Sequence, residues 1–376
     1  MPAQPYDLPD LVGFTGFENL PTPAVVLNGS VMRANIARMQ ALAEGRVTLH
    51  PHIKTHKSIE LARRQIAAGA VGVTVSRPPE ARHFINAGIP AITVAYPIID
   101  AEVALELTEL AAHHGVLLRF VVDSEEGVAA LVEASKLTAR NIQAFIEVDV
   151  GLKRCGIDPT TDDAIALAAR LVAGGVDFVG LLSHAGHSYG AAGPKHVNEI
   201  AASERAILCR LSERLGSAGF PPANMSVGST PTALCNAGFD GLTELRPGNY
   251  IFFDLTAVRL GIATRRNLAL AVASSVISVN DRYAIIDAGS KTLSSDMGPH
   301  GTGGAGFGEA WLADGRGPFV VEKLSEEHGF VDRTSGGLDV GSKLLILPNH
   351  ACPVVNLASS LVELFSDGVA TITVDA

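Results

Sequence analysis

The chain has 376 residues, of which 47% are hydrophobic and 18% are charged. This length favours about two domains, and the apolar content is enough for a large buried core, which excludes a disordered chain. The formal net charge of −10 disfavours nucleic acid and anionic membranes as partners, and no apolar run is long enough to cross a bilayer.

The N-terminal residues and the cysteine content bear on the location of the protein. The first residues, MPAQPYDLPD, lack the basic and apolar regions of a signal peptide. Four cysteines in a chain of this length do not form a disulfide framework. A reducing, cytoplasmic location is therefore expected.

Apolar runs of strand length alternate with amphipathic helical stretches over the first two thirds of the chain. The predicted strands are Val47–Ile53, Val71–Ser76, Ala91–Tyr96, Leu117–Asp123, Ala144–Val150, Phe178–His184, Met225–Ser229 and Glu244–Phe253. This alternation predicts an α/β fold in which a parallel sheet closes into a (β/α)8 TIM barrel. An open doubly wound sheet is the alternative, because periodicity alone does not distinguish the two.

The pattern changes after about residue 255, where strand-like segments follow one another with Gly-rich connections. The predicted strands are Leu268–Val279, Tyr283–Asp287, Phe319–Lys323, Lys343–Leu347 and Val369–Val374. They predict a mostly antiparallel second domain. The expected division is a barrel over residues 28–255 and a C-terminal β domain over residues 256–376. Residues 1–27 are grouped with the β domain, although Thr22–Leu27 could join either.

Lys54 lies in LHPHIKTHK, just past the end of the first predicted strand. This position is the carboxyl-terminal mouth of the barrel, where active sites are built. His50, His52 and His56 supply titratable neighbours. A neighbouring cation and desolvation would lower the pKa of the lysine, as a Schiff-base amine requires. We therefore favour a catalytic lysine over a surface lysine at a loop start.

Two more motifs place polar side chains at the same mouth. Arg154 lies in EVDVGLKRCG after the fifth strand, where it could face a carboxylate, a phosphate or a ring nitrogen. His184 and Tyr189 lie in SHAGHSYG at the end of the sixth strand. A surface salt bridge and a structural histidine are the plain alternatives.

The seventh and eighth strands end in segments that suit an anion. SVGSTPT, residues 226–232, combines small residues with the hydroxyls of Ser229, Thr230 and Thr232. RPGNY, residues 246–250, follows the eighth strand. Loops after these two strands form the common phosphate site of barrels. Both motifs in these positions favour a phosphate cradle over plain turns.

His350 and Cys352 lie in PNHACP, after an apolar strand. In an extended segment, residues two apart point to the same side. An imidazole and a thiolate on one side form half of a tetrahedral metal site, and the soft thiolate favours zinc over magnesium or calcium. A buried cysteine beside a structural histidine is the alternative.

Gly301, Gly303 and Gly306 spell the dinucleotide-binding pattern G-x-G-x-x-G. No helical pattern follows them, as that site requires. We expect a flexible loop here.

Together, these motifs resemble the fold-type III pyridoxal-phosphate enzymes, and more narrowly the D-serine dehydratase and D-threonine aldolase family. The motifs in order are TPAVVL, PHIKTHK, EVDVGLKRCG, SHAGHSY, SVGSTPT, ELRPGNYIFFD, IIDAGSK, SEEHG and PNHACP. The resemblance implies an alanine racemase-like barrel, a C-terminal β domain that carries a metal site, and a homodimer acting on a small amino acid.

The same resemblance assigns residue roles. Lys54 would hold pyridoxal phosphate and act as the catalytic base, Arg154 would face the pyridine nitrogen, and His184 would lie close to the ring. The residues implied to hold the phosphate are Ser229, Thr230, Gly248 and Tyr250. His350 and Cys352 would bind a divalent metal, with zinc favoured over manganese or magnesium.

The residue two places after the metal-binding histidine separates two activities in this resemblance. Aldolase-like members tend to carry Asp there and dehydratase-like members carry Cys, as this chain does with Cys352. The resemblance therefore implies dehydration of a D-β-hydroxy amino acid to a 2-oxo acid and ammonia. Retro-aldol cleavage, racemisation and non-catalytic cofactor binding are the alternatives. His50, where Arg is common, and the loop at residues 301–308 depart from the family pattern and leave the substrate open.

Overall fold

The computed structural model describes residues 8–235, 238–299, 303–334, 336–365 and 368–376. The strands are β1 Ala24–Asn28, β2 Thr48–Leu49, β3 Val73–Val75, β4 Ala91–Pro97, β5 Leu117–Val122, β6 Gln143–Val148, β7 Asp177–Ser183, β8 Asn224–Val227, β9 Glu244–Leu245, β10 Leu270–Val279, β11 Tyr283–Ile286, β12 Gly308–Leu312, β13 Phe319–Leu324, β14 Gly329–Asp332, β15 Lys343–Pro348, β16 Ser360–Phe365 and β17 Gly368–Thr373. The helices are α1 Gly29–Ala43, α2 Ile59–Ala67, α3 Pro78–Asn86, α4 Ala101–His114, α5 Glu125–Leu137, α6 Asp163–Ala173, α7 Pro194–Ser217, α8 Thr230–Cys235, α9 Leu255–Arg259, α10 Ser290–Leu293 and α11 Ala351–Leu357.

Strands β2 to β9 form a parallel sheet in the order β2-β9-β8-β7-β6-β5-β4-β3. A parallel bridge between His52 and Thr74 joins its two ends. Two hydrogen bonds support this closure, from Val71 N to Leu49 O at 3.0 Å and from Thr74 N to Pro51 O at 2.8 Å. The predicted closed barrel is therefore confirmed, and the open sheet is excluded.

The helices pack on the barrel through the apolar faces that periodicity predicts. On α1, the buried side chains include Met32, Ile36, Met39 and Ala43, which recur at helical spacing. The side chain of Asn28 caps this helix by accepting a hydrogen bond from Val31 N at 3.1 Å. The helices thus hold the barrel strands, and with them the strand ends, in place.

The second sheet has the order β11-β14-β13-β12-β15-β10-β1-β16-β17, with a further β10–β11 pairing. Its pairings are antiparallel except for β1 with β16, so the predicted mostly antiparallel fold is confirmed. Strand β1 lies between β10 and β16, which places residues 24–28 in this sheet.

Several predicted strand bounds were wrong. The eighth barrel strand was expected over Glu244–Phe253 but ends at Leu245, and residues 249–251 form a 3-10 turn. Pro247 lacks an N–H for the ladder, which ends the strand. Strands β12, β14 and β16 were missed because they are short and only part of each is buried.

The Gly-rich pattern is followed by strand β12 instead of a helix, as expected for a segment that is not a dinucleotide site. Of its glycines, Gly301 lies outside the described residues. None of the helices in the described ranges combines the length and the apolar composition that spanning a bilayer demands.

Candidate active site

A cavity of about 490 Å³ lies at the carboxyl ends of the barrel strands, and helix α11 borders it. This volume is within the usual range for small-molecule sites. The predicted site residues that line it are Lys54, Arg154, His184, Ser229, Thr230, Gly248, His350 and Cys352, together with Tyr189. The structure thus brings together residues almost three hundred positions apart.

Lys54 lies in a 3-10 turn, Ile53–Thr55, immediately after the barrel closes. The side chain of His52 caps this turn and lies 3.5 Å from the Lys54 backbone nitrogen. Burial lowers the pKa of Lys54, and the charges of Arg154 and Arg246 lower it further, whereas Cys352 opposes them. The amine is therefore easier to hold neutral than a surface lysine.

The other histidines of the lysine motif have different surroundings. His52 lines the cavity, but His50 and His56 do not. His50 Nε2 lies 3.1 Å from Glu244 Oε2 inside the barrel, and His56 Nε2 lies 3.1 Å from Gln65 Oε1. Burial lowers the pKa of His50, and it lowers that of His56 to about 4. Of the three histidines that neighbour Lys54 in the sequence, only His52 therefore lines the cavity.

His184 stands at the end of β7 and faces the cavity. Its Nδ1 is hydrogen-bonded to the carbonyl oxygen of Gly228. A carbonyl only accepts, so Nδ1 carries the hydrogen and Nε2 keeps a free electron pair. Burial, followed by the charge of Lys54, holds the pKa of His184 well below its usual value. The imidazole is therefore neutral.

The hydroxyl-rich segment after β8 is positioned by its neighbours. Thr230 Oγ1 accepts a hydrogen bond from Tyr250 N at 3.1 Å, and Ser229 Oγ lies 2.9 Å from Ser188 Oγ. Tyr250 itself does not line the cavity; its hydroxyl accepts from Gln65 Nε2 at 2.9 Å. Tyr250 thus contributes its backbone behind the cavity.

Gly248 borders the cavity where the chain passes the lysine turn. A Cβ at this position would lie 2.9 Å from Thr55 Oγ1 and 3.0 Å from His52 O. A side chain therefore does not fit, and the backbone is left open to the cavity. Together with the two hydroxyls after β8, this cradle suits a phosphate.

Arg154 is exposed at the rim of the cavity. Its loop is a tight turn in which Gly151 and Gly156 have positive φ. Asp149 Oδ1 accepts from Gly151 N at 2.9 Å and from Lys153 N at 3.0 Å. These contacts fix the loop that carries the guanidinium.

His350 and Cys352 do not lie in an extended segment, so the geometry expected for them was wrong. His350 occupies the N-cap position of α11 without a capping hydrogen bond from its side chain, and Cys352 lies in the first turn of that helix. The two side chains nevertheless lie close enough for each to shift the pKa of the other. His350 Nδ1 lies 2.8 Å from Asp296 Oδ2, and Cys352 Sγ lies 3.4 Å from Thr55 Oγ1.

The charges of this pair favour an imidazolium–thiolate ion pair. Burial opposes the charged form of His350, but the Cys352 thiolate and Asp296 raise its pKa to about 10. Burial likewise opposes the thiolate, but His350 and Thr55 lower the pKa of Cys352. A histidine whose Nδ1 meets a carboxylate has the arrangement typical of metal ligands, and a metal would take the place of the imidazolium proton at Nε2.

No group of three or more His, Cys, Asp or Glu side chains suited to a metal occurs in the described part of the chain. A metal at His350 and Cys352 would need water or substrate to complete its coordination. Catalytic sites keep such open positions, whereas structural sites are closed by protein ligands. The donor set therefore fits a catalytic metal better than a structural one.

Asp254 joins the barrel to helix α11, a contact that the sequence did not reveal. Its buried carboxylate accepts hydrogen bonds from Ala351 N at 3.0 Å, Asn249 Nδ2 at 2.8 Å and Thr256 N at 3.1 Å. The phosphate side of the site and the His350–Cys352 side are thus tied to one side chain.

A family model described as the N-terminal domain of alanine racemase matches residues 27–256, more than half of the chain. A serine dehydratase domain model matches residues 269–363. The chain therefore belongs to the family that these two domain models describe together. It is the fold-type III pyridoxal-phosphate family, in the branch of the D-serine dehydratases and D-threonine aldolases, as the motifs predicted.

Individual relatives match over most of their length. D-threo-3-hydroxyaspartate dehydratase of Delftia sp. is 36% identical over 352 residues, which cover 89% of this chain and 91% of that protein. D-threonine aldolase of Arthrobacter sp. is 31% identical over 378 residues, 98% of this chain and 93% of that protein.

Solved structures agree with this assignment. A structure of the Delftia dehydratase has a TM-score of 0.89 and 35% identity, and the match covers 95% of this chain and 98% of that chain. A variant of the same dehydratase with a cysteine replaced by alanine is described as metal-free.

Proposed function

We propose that the protein is a pyridoxal-phosphate- and metal-dependent lyase that removes water from a D-configured β-hydroxy amino acid and releases a 2-oxo acid and ammonia. The observation that carries the proposal is the single cavity in which Lys54 meets the His350–Cys352 pair. The names of the relatives, a dehydratase and an aldolase, support a lyase. The D preference rests on the family alone.

The cofactor would be held at both ends by residues of the barrel mouth. Lys54 Nζ would carry it, Ser229, Thr230, Gly248 and the backbone of Tyr250 would bind its phosphate, and Arg154 would face its ring nitrogen. Bound pyridoxal phosphate withdraws electrons from the substrate's Cα and so acidifies the proton there.

Lys54 Nζ would remove that proton, because its lowered pKa favours a free amine as general base. Neutral His184 would contact the ring without adding charge to it. The guanidinium of Arg154 cannot give up a proton to the ring nitrogen, so electron withdrawal would be weak. Assistance at the leaving group is therefore needed.

His350 and Cys352 would hold the metal that gives this assistance. A divalent metal here supplies a Lewis acid for the β-hydroxyl. Thiolate softness favours zinc over manganese or magnesium. The carboxylate of Asp296 would keep the His350 ring in place through Nδ1.

We further propose the domain roles. Residues 28–255 form the cofactor-binding barrel, and residues 256–376 with 1–27 form the β domain that carries the His350–Cys352 pair. A homodimer and a cytoplasmic location are proposed from the family and from the sequence. Size measurement by light scattering tests the dimer.

The experiment is an assay of purified holoenzyme with D- and L-serine, D- and L-threonine and D-threo-3-hydroxyaspartate, each with zinc, manganese or chelator. We expect 2-oxo acid and ammonia from a D substrate with zinc, and none with chelator. Glycine and acetaldehyde from D-threonine as the main products would instead establish the aldolase. A protein that lacks the visible absorbance of the bound cofactor after reconstitution would contradict both.

A further inference from the structure

One wall of the cavity has no role in the proposed mechanism. Its residues follow strands β2 and β3 or lie on helices α3 and α11: Lys57, Ser76, Arg77, Glu80 and Asn356. The wall therefore combines two cations with one carboxylate. It faces the same cavity as Lys54.

Lys57 is fixed in this wall. Its side chain is 10% exposed, and its Nζ donates to Asn356 Oδ1 at 2.6 Å and lies 3.6 Å from Glu80 Oε1. Its φ of 48° is in the left-handed region, which lysine rarely adopts. Such backbone strain clusters at functional sites.

Glu80 has its other oxygen fully engaged. Glu80 Oε2 accepts hydrogen bonds from Ser76 N and Ser76 Oγ, both at 2.7 Å. The carboxylate thus offsets the charge of Lys57. The guanidinium of Arg77 is exposed and has no ion-pair or hydrogen-bond partner among the described residues. One positive charge is therefore left in excess.

The wall lies on the side of the cavity that holds the His350–Cys352 pair. Asn356, which binds Lys57, comes four residues after Cys352 on α11. Residues at this spacing share a face of a helix. The Lys57 ammonium is therefore adjacent to the groups that would engage the β-hydroxyl.

From this arrangement we infer that Arg77 and Lys57 bind the side-chain carboxylate of an acidic β-hydroxy amino acid, so that the site selects 3-hydroxyaspartate over serine. The inference rests on the proposed dehydration. In 3-hydroxyaspartate the second carboxylate and the hydroxyl share one carbon. A hydroxyl at His350 and Cys352 thus leaves the carboxylate at this wall. The planar fork of arginine suits a carboxylate bidentately.

The test measures kcat/KM of the holoenzyme for D-threo-3-hydroxyaspartate and for D-serine. In Arg77→Met, the value for hydroxyaspartate is expected to fall about 10- to 100-fold, the usual effect of losing a hydrogen-bonded charge pair. The loss should lie mainly in KM. The value for D-serine should fall far less, and Arg77→Lys should recover part of the loss.

The matched control is Arg63→Met, which removes an exposed charge that does not line the cavity. It should leave kcat/KM unchanged for both substrates. An equal fall for both substrates in Arg77→Met would assign Arg77 to the α-carboxylate or to stability and overturn the inference. An unchanged preference would overturn it as well.

A binding measurement separates this inference from the proposed reaction. D-aspartate and D-alanine have no β-hydroxyl to lose, and their binding can be followed by the change in cofactor absorbance. Tighter binding of D-aspartate to the wild type, lost in Arg77→Met, supports the carboxylate wall even if no water is eliminated. Equal binding of the two in the wild type overturns it even if dehydration is observed.

Discussion

The barrel mouth and helix α11 hold their functional side chains in different ways. At the mouth, each group follows a strand of one closed sheet, and backbone contacts such as Tyr250 N to Thr230 Oγ1 fix it. At the start of α11, His350 and Cys352 follow strand β15 of the second sheet, and two carboxylates, Asp296 and Asp254, hold this segment. The mouth suits cofactor binding, and α11 would add the groups that direct the proposed reaction.

The largest expected effect is at the barrel mouth. Lys54→Ala should abolish the visible absorbance of the lysine-bound cofactor and lower kcat by at least about 1,000-fold, because it removes both the attachment point and the base. Absorbance and steady-state assays measure the two losses. The exposed Lys136→Ala on α5 is the control and should keep both.

The second largest effect is expected on α11, and it should separate metal binding from cofactor binding. Cys352→Ala should keep the cofactor absorbance but lose bound zinc, with activity down at least about 100-fold, since even outer partners of a metal ligand contribute 10- to 100-fold. Metal analysis beside the spectrum measures this. If absorbance vanished together with the metal, the two regions would not be independent. Cys352→Asp should shift the preference from zinc toward manganese.

The third prediction concerns Asp254, whose carboxylate links the barrel to helix α11. Asp254→Ala should lower the free energy of unfolding by about 4 kcal/mol, because several buried donors lose one charged acceptor. Denaturant titration measures the loss. Asp254→Asn keeps one acceptor oxygen and should lose less. A loss in Asp254→Ala no larger than that of an ordinary surface substitution would contradict the role of the carboxylate.

The smallest effect concerns pH. His56 is fully buried with a pKa lowered to about 4, so protons favour the unfolded state between that value and the usual 6.5. Its contribution to stability is complete above pH 6.5 and is lost as pH falls toward 4, by roughly 3 kcal/mol in total. In His56→Gln, the acid-induced loss should be smaller by that amount. Above pH 6.5, acidification should affect the variant and the wild type alike.

The barrel and its mouth could be predicted from the sequence for a physical reason. Strands buried on both faces read as apolar runs, and parallel strands bring their carboxyl ends to one rim. Lys54, His184 and Thr230 each follow such a run, so their meeting could be expected. Tyr250 could be placed near the site in the same way. Its sequence position does not reveal that its backbone, and not its side chain, makes the contact.

The α11 side depended on contacts that no local pattern encodes. Asp296 meets His350 across fifty-four positions, and Arg77 before two prolines resembles an ordinary loop residue. One signal was available: Pro353 in the first turn is typical of a helix start, and it would have argued against an extended His350–Cys352 segment.

In the proposed function, a metal at His350 and Cys352 directs the reaction at the barrel mouth to dehydration. The most direct measurement is the product ratio from D-threo-3-hydroxyaspartate with zinc-loaded holoenzyme. We predict oxaloacetate and ammonia, with little glycine, and loss of both products on chelation. Glycine and glyoxylate as the main products, or dehydration that persists after the metal is removed, would contradict metal-directed dehydration.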